Sequence, residues 1–277
     1  MTERDPATVW TPPEATGGSP GRRRLEGRRI LVVGAGTQPC DDPDAPLGNG
    51  RAIAVLCARE GAAVACADRD EAAASDTARM AGESNRATVV IADVTDEAAC
   101  ARVVADAEAG LGGLDGIVVN VGIGYGRGLE GTDVDAWDVT FAINLRAHFL
   151  VARAALPRLQ PGAAIVFVSS IAGIKPGTGI PAYDASKAGL AGLCRHVAYE
   201  GARRGIRANL VVPGLIDTPL GRLASRGRPS RATTTVPLGR QGTAWEVAYA
   251  TVFLLSAESS YVTGQQLVVD GGLSSLR

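Results

Sequence analysis

The sequence predicts a doubly wound α/β domain, a parallel sheet with helices on both faces. Seven short, strongly apolar runs recur along the chain, and six longer segments of helical periodicity separate them. Ile30-Leu31-Val32-Val33 is typical: it has no polar alternation, so both of its faces must be covered. That run also leads straight into Gly34-Ala35-Gly36, a glycine turn of the kind that joins a strand to a helix in such domains.

Taken in order, strands are expected at Ile30–Val33, Ala63–Ala67, Thr88–Ala92, Gly116–Asn120, Ala164–Val168, Ala208–Val212 and Gln266–Val269. Helices are expected at Arg51–Glu60, Glu71–Ala81, Glu97–Leu111, Val134–Leu159, Tyr183–Arg204 and Ala244–Leu255. Right-handed crossovers leave few ways to connect them. Residues 1–25 are rich in Pro, Gly, Thr and Arg without periodicity, which predicts a flexible tail before a single domain at 26–277.

Composition narrows the function class. At 277 residues with 46% hydrophobic and 21% charged residues, the chain can bury an ordinary globular core. The net charge of -1, with no basic stripe interleaved with aromatics, argues against nucleic acid as a partner. No apolar run reaches ~18 residues, so no membrane span is expected. Met1-Thr2-Glu3-Arg4-Asp5 lacks the apolar core of a secretion signal. The five cysteines (Cys40, Cys57, Cys66, Cys100, Cys194) are odd in number and contain no CxxC, which suits a reducing cytoplasm. His148 and His196 are the only histidines, so no metal site is expected.

The chemistry concentrates in Tyr183-Asp184-Ala185-Ser186-Lys187. On a helix, Tyr183 and Lys187 share one face, one turn apart. A free phenol ionises near pH ~10, and a neighbouring cation lowers that by roughly 1–3 pH units, bringing proton exchange within reach of neutral pH. Only Lys175 and Lys187 are lysines among the 28 basic residues. Upstream, Ile165-Val166-Phe167-Val168 reads as a buried strand ending in Ser169-Ser170, and Ser170 stands thirteen residues before Tyr183.

This strand, hydroxyl, Gly/Pro-rich loop and Tyr–Lys helix together resemble the active site of the short-chain dehydrogenase/reductase (SDR) family, in its classical branch. The resemblance covers about residues 26–272. It implies a single-domain Rossmann fold with seven strands in the order 3-2-1-4-5-6-7, and assembly as a homotetramer through two long helices. Tyr183 is then the general base in alcohol oxidation and the acid in ketone reduction. Lys187 lowers the phenol pKa and holds the nicotinamide ribose. Ser170, with Ser169 as the adjacent alternative, hydrogen-bonds the substrate oxygen. Asn144, in Phe141-Ala142-Ile143-Asn144-Leu145, brings a helix kink and an ordered water that completes a proton relay. His148, one turn later, is expected at a helix-bundle interface.

The same resemblance assigns the cofactor side. The family's GxxxGxG loop is similar to Gly34, Gly48 and Gly50, with Gly36, Thr37 and Asn49 beside them and about ten extra residues, Gln38–Leu47, inserted. Pro39 defeats a strict GxGxxG scan, Asn49 replaces the usual isoleucine, and Val33 the usual threonine. The insertion, with Asp41, Asp42 and Asp44, is either a solvated bulge or an acidic flap over the adenosine side. Asp68 at the end of the second strand favours NAD(H) by accepting from both ribose hydroxyls, or serves as a helix cap. Arg69 keeps NADP(H) open, since a guanidinium there binds a 2′-phosphate. Asp93 and Val94 would meet the adenine, and Asn120 and Gly122 stand where the family has NNAG, with Val119 in place of its first asparagine. Pro213, Gly214, Ile216 and Thr218 are similar to the segment beside the nicotinamide carboxamide, and Val269-Asp270-Gly271-Gly272 matches the family's C-terminal end.

Pro219–Arg240 is expected as the substrate lid. Its arginines 222, 226, 228, 231 and 240, with no carboxylate, fit either a solvated basic loop or an anionic substrate. Ile171, Ala172, Ile174 and Ile180 suggest an apolar pocket wall. The expected activity is NAD(H)-dependent hydride transfer on a secondary alcohol or ketone, a small-molecule substrate. An NADPH-dependent 3-oxoacyl thioester (acyl carrier protein or CoA) reductase is the alternative. A cofactor-sensing regulator is the non-enzymatic one, against which Asn144, Ser170, Tyr183 and Lys187 all stand.

Overall fold

The computed structural model describes residues 10–40, 42, 44–82, 87–225 and 235–276. Among the described residues the strands are β1 Arg29–Val33, β2 Ala63–Asp68, β3 Ala87–Ile91, β4 Gly116–Val119, β5 Ala164–Val168, β6 Arg207–Pro213, β7 Ile216–Asp217, β8 Gly242–Thr243 and β9 Gln266–Val269. The helices are α1 Asn49–Arg59, α2 Glu71–Ala81, α3 Glu97–Leu111, α4 Val134–Phe141, α5 Ala147–Ala155, α6 Pro181–Ala202, α7 Pro219–Ser225 and α8 Ala244–Leu255. Seven strands form one sheet in the order β3-β2-β1-β4-β5-β6-β9, every pairing parallel. This is the order the family resemblance implies. The short pair β7–β8 stands apart.

Side-chain alternation within the strands builds a core on each face. Leu31, Val33 and Phe167 point to one, against α3, α5 and α6. Ile30, Val32 and Val166 point to the other, against Ile53 and Leu56 of α1 and Val247 and Val252 of α8. Phe167 is fully buried, a change from water worth roughly 1.5–3 kcal/mol. The helix starts are capped by acids and a hydroxyl: Asp70, Asp96 and Asp133 accept from the third helical N–H of α2, α3 and α4. Thr243 and Glu246 form a capping box at α8.

Three expectations are corrected. The helix expected at 134–159 ends at Ala155, and where a kink was expected at Asn144 a π-turn over Ala142–Arg146 lies between α4 and α5. His148 lies at no bundle interface; it is wholly buried, its ring 5.9 Å from that of Phe167. Burial first, and the Lys187 charge second, keep its imidazole well below the usual histidine range.

Residues 10–25, expected within a flexible tail, are docked. Leu25 and Ala15 are buried, and Gly17 lies so close to Trp245 that a Cβ there would meet the indole at 2.3 Å. Arg59 donates to the Gly17 carbonyl at 2.7 Å, and Thr243 to that of Ala15 at 2.7 Å. Glu60, at the end of α1, receives the Arg22 and Arg24 N–H groups at 2.9 and 3.1 Å and the Arg24 guanidinium at 2.6 Å. Burial alone would raise that carboxyl, but these hydrogen bonds outweigh it and hold it below the usual range. Arg24 is therefore no solvated residue: its side chain is 15% exposed and that of Glu60 not at all.

Candidate active site

A cleft of about 510 Å³ opens at the C-terminal ends of the central strands, where a doubly wound sheet binds ligands. Of the expected cofactor residues, Gly34, Gly36, Thr37, Gly48, Asn49, Gly50, Asp68, Arg69, Asp93, Val94, Asn120, Gly122, Thr218, Tyr183 and Lys187 line it. Pro213, Gly214 and Ile216 do not, nor do Asn144 and Ser170. Gln38 and Pro39 of the insertion, Leu220 of the lid, and Ile123, Tyr125 and Ile143 line it as well.

The glycine turn is shaped by close approach. Gly34 has φ +80°, a conformation that favours glycine. A Cβ on Gly50 would lie 1.8 Å from the Gly34 carbonyl, so α1 can begin this near to β1 only with glycine there. That carbonyl also accepts from Asn120 Nδ2 at 2.9 Å, which ties the β4 loop to the turn. The ten-residue insertion is bridged at its base, where Gly48 N–H donates to Thr37 Oγ1 at 3.2 Å. Asp68 accepts from Gly36 N–H at 2.8 Å and Asp70 N–H at 3.2 Å. The cap of α2 is Asp70, so Asp68 has no such duty and faces the cleft beside exposed Arg69. Asp93 receives the Thr95 N–H and hydroxyl at 2.9 and 2.8 Å, which hold its carboxyl below the usual range.

The floor of the cleft is a buried polar network around α6. Lys187 is 4% exposed. Its Nζ donates to Val168 O at 3.1 Å and Val121 O at 3.5 Å, and lies 5.8 Å from the Tyr183 ring centroid. Burial pushes its pKa down to about 8. Gly122 leaves room for this ammonium: a Cβ there would stand 3.0 Å from Nζ. Ser169 donates its hydroxyl to Lys187 O at 2.9 Å, fixing α6 to β5. Ser170 Oγ instead accepts from Ala172 N–H at 3.2 Å, capping the 3₁₀ turn Ile171–Gly173.

Asn144 supports the network from behind. Its amide both accepts from Ile123 N–H and donates to Ile123 O, each at 2.8 Å, and donates to Ser186 Oγ at 3.0 Å. Ser186 in turn donates to Tyr183 O at 2.9 Å. The π-turn thus turns a helix-interior asparagine toward both the β4 loop and α6.

A family model described as Enoyl-(Acyl carrier protein) reductase matches residues 46–274. A (3R)-3-hydroxyacyl-CoA dehydrogenase of Mus musculus is 36% identical over 262 residues, 90% of this chain and 97% of that protein. The chain belongs to the short-chain dehydrogenase/reductase family. The 3-oxoacyl-(acyl-carrier-protein) reductase FabG of Thermotoga maritima is 36% identical over 90% of this chain and 99% of its own. The Inactive 2-(S)-hydroxypropyl-CoM dehydrogenase 2 of Xanthobacter autotrophicus is 39% identical over 81% of this chain and 100% of its own. A solved structure from Burkholderia xenovorans, assigned to the same family, superposes with a TM-score of 0.80 at 40% identity, covering 91% of this chain and 98% of that one. Membership makes this an SDR oxidoreductase with a nicotinamide cofactor and a hydroxyl or keto substrate.

The lid is only partly described. Arg226, Arg228 and Arg231 lie outside the described residues, as do Asp41 and residues 1–9. The two described lid arginines are already paired with carboxylates. Arg240 makes a two-point pair with Glu246 at 2.8 and 2.7 Å, and Arg222 pairs with Asp217 and Asp42. The apolar wall expected near Ser170 is met only in part: a Cβ on Gly124 would touch both Ile180, at 3.2 Å, and the Tyr183 ring, at 3.4 Å. Ile171, Ala172, Ile174 and Ile180 are not among the cleft-lining residues, whereas Ile123, Tyr125 and Leu220 are. Among the described residues no helix is long and apolar enough to cross a membrane.

Proposed function

We propose that this protein is an NAD(H)-dependent dehydrogenase or ketone reductase acting on a secondary alcohol or its ketone, with Tyr183 as the proton-transfer group. The observation that carries this reading is the buried Lys187 ammonium, anchored on Val168 O and Val121 O beside the Tyr183 ring on the cleft floor. A cation held there favours the phenolate, so Tyr183 can take a proton from an alcohol and return one to a carbonyl oxygen. Ser170 is assigned to hold the substrate oxygen; Ser169, whose hydroxyl is spent on Lys187 O, is left to position α6. Asn144 holds Ile123 and Ser186, and through them the backbone around Tyr183.

The cleft residues fit a dinucleotide. Gly34, Gly36 and Gly50 bring backbone close where a Cβ would intrude, and the N-terminus of α1 offers unpaired N–H groups to a pyrophosphate. Asn49 Oδ1 is buried there with no partner among the described residues. Asp68 favours NAD by charge and ribose hydrogen bonding. The bound nicotinamide supplies or accepts the hydride. Assembly as a cytoplasmic homotetramer belongs to the same reading.

A second reading, an NADPH-dependent 3-oxoacyl thioester reductase, is favoured by exposed Arg69 at the cleft edge and by the names of the thioester-linked relatives. Titration with NADH and NADPH, followed by nicotinamide fluorescence, separates the two. Tight NADH with weak NADPH binding is expected. The reverse order would make Arg69 the selector and put thioester reduction first.

A further inference from the structure

Arg222 joins the insertion to the first helix of the lid. Arg222, on α7, sets its Nε and Nη2 on the two Asp217 oxygens at 2.7 and 2.9 Å. Its remaining nitrogen, Nη1, pairs with Asp42 of the insertion and reaches the Asp44 carbonyl at 3.4 Å. Only a planar, five-donor guanidinium can serve two carboxylates in this way. The Asp217 and Asp42 hydrogen bonds raise its pKa further, so the charge is permanent.

What this guanidinium fixes bears on the cleft. Asp217 immediately precedes Thr218, and Thr218, Pro219 and Leu220 line the cleft together with Gln38 and Pro39 of the insertion. Pro219 also joins Gln38, Pro39 and Cys40 around a smaller adjoining pocket of about 350 Å³. The insertion is thus tied back onto α7 along the exposed rim. We propose that Arg222 is a positioning residue that straps the insertion, at Asp42, to α7 and slows release of a dinucleotide from the cleft. The strap rests on the reading of that cleft as a nicotinamide-dinucleotide site.

The test is stopped-flow release of NADH, or of NADPH if that binds more tightly, from the parent and four variants. The Arg222 and Asp42 side chains are about a third exposed, at 35% and 39%. Asp42→Asn should therefore speed release by roughly 1.5- to 5-fold, the range of a half-exposed ion pair. Arg222→Met should do more, since it also frees Asp217, and Arg222→Lys should fall between it and the parent. The double variant Asp42→Asn/Arg222→Met should release no faster than Arg222→Met alone, because the partner is already gone. High salt should shrink the differences. Melting temperatures check the fold, and Asp42→Asn, a surface change, carries the test if Arg222→Met folds poorly. Equal release from the parent and Asp42→Asn, or additive effects in the double variant, would overturn the strap alone. A parent that binds neither dinucleotide would overturn the reading of the cleft, and the strap with it.

Discussion

Lys187 and Arg222 are both cations gripped by several oxygens at the same cleft, in opposite surroundings. Lys187 sits at the floor, 4% exposed, and its acceptors are two neutral carbonyls. Arg222 stands at the rim, about a third exposed at 35%, between two carboxylates. Burial without a counter-charge brings the lysine down to about 8, within reach of neutral pH. Two carboxylates push the arginine the other way. On the proposed reading, a charge that serves proton transfer at Tyr183 is kept adjustable by desolvation, and a charge that straps two segments together is made permanent by pairing.

The largest effect that bears on this contrast lies at the floor. Tyr183→Phe should lower kcat by about 10²–10⁴ with dinucleotide affinity nearly unchanged, because only the transferable proton is removed. Steady-state kinetics beside a binding titration reads both. A variant that keeps full kcat would mean that the Lys187 ammonium serves something other than this phenol.

Arg24 tests whether burial or pairing sets the worth of a cation, since it combines the two. It is nearly buried and meets a fully buried carboxylate, Glu60. Arg24→Met leaves Glu60 inside with only its two backbone donors, and removing one partner of a buried pair costs about 3–5 kcal/mol. Urea unfolding should show a loss near the lower end, given the 15% exposure of Arg24. It should also show faster hydrogen exchange in residues 10–25. A loss below ~1 kcal/mol would put this pair with the weak surface bridges.

Much of the floor was legible in the sequence, and much of the rim was not. The strands were readable because they are apolar runs, and Tyr183 with Lys187 because their spacing is the helical repeat. Asp68 and Gly50 were readable as family positions, but the Gly36 N–H on Asp68 and the Gly34 carbonyl beside Gly50 are distance facts. The π-turn carries no proline or glycine in Ala142–Arg146, so only the interior Asn144 hinted at it. Docking of residues 10–25 rests on a few small contacts and on a buried Glu60 that reads like any surface acid. Arg222 and Asp42 lie 180 residues apart, and nothing local marks either for the other.

The smallest effect concerns the Lys187 proton itself. An unfolded lysine holds its proton up to about pH 10.4, whereas the folded one loses it near pH 8. Between these values the unfolded chain binds the extra proton, so folding stability rises with pH through the window. Below about pH 8 both states are protonated, and this contribution is flat. The rise should total on the order of 3 kcal/mol at most, since each pH unit of separation is worth ~1.4 kcal/mol. Other groups titrate in the same range, so the measurement is the difference in urea stability between the parent and Lys187→Met from pH 7 to 10. The parent should gain on the variant steadily above pH 8. A difference that stays constant would show that Val168 O and Val121 O hold the ammonium charged throughout, and the floor would then differ from the rim in burial but not in the permanence of its charge.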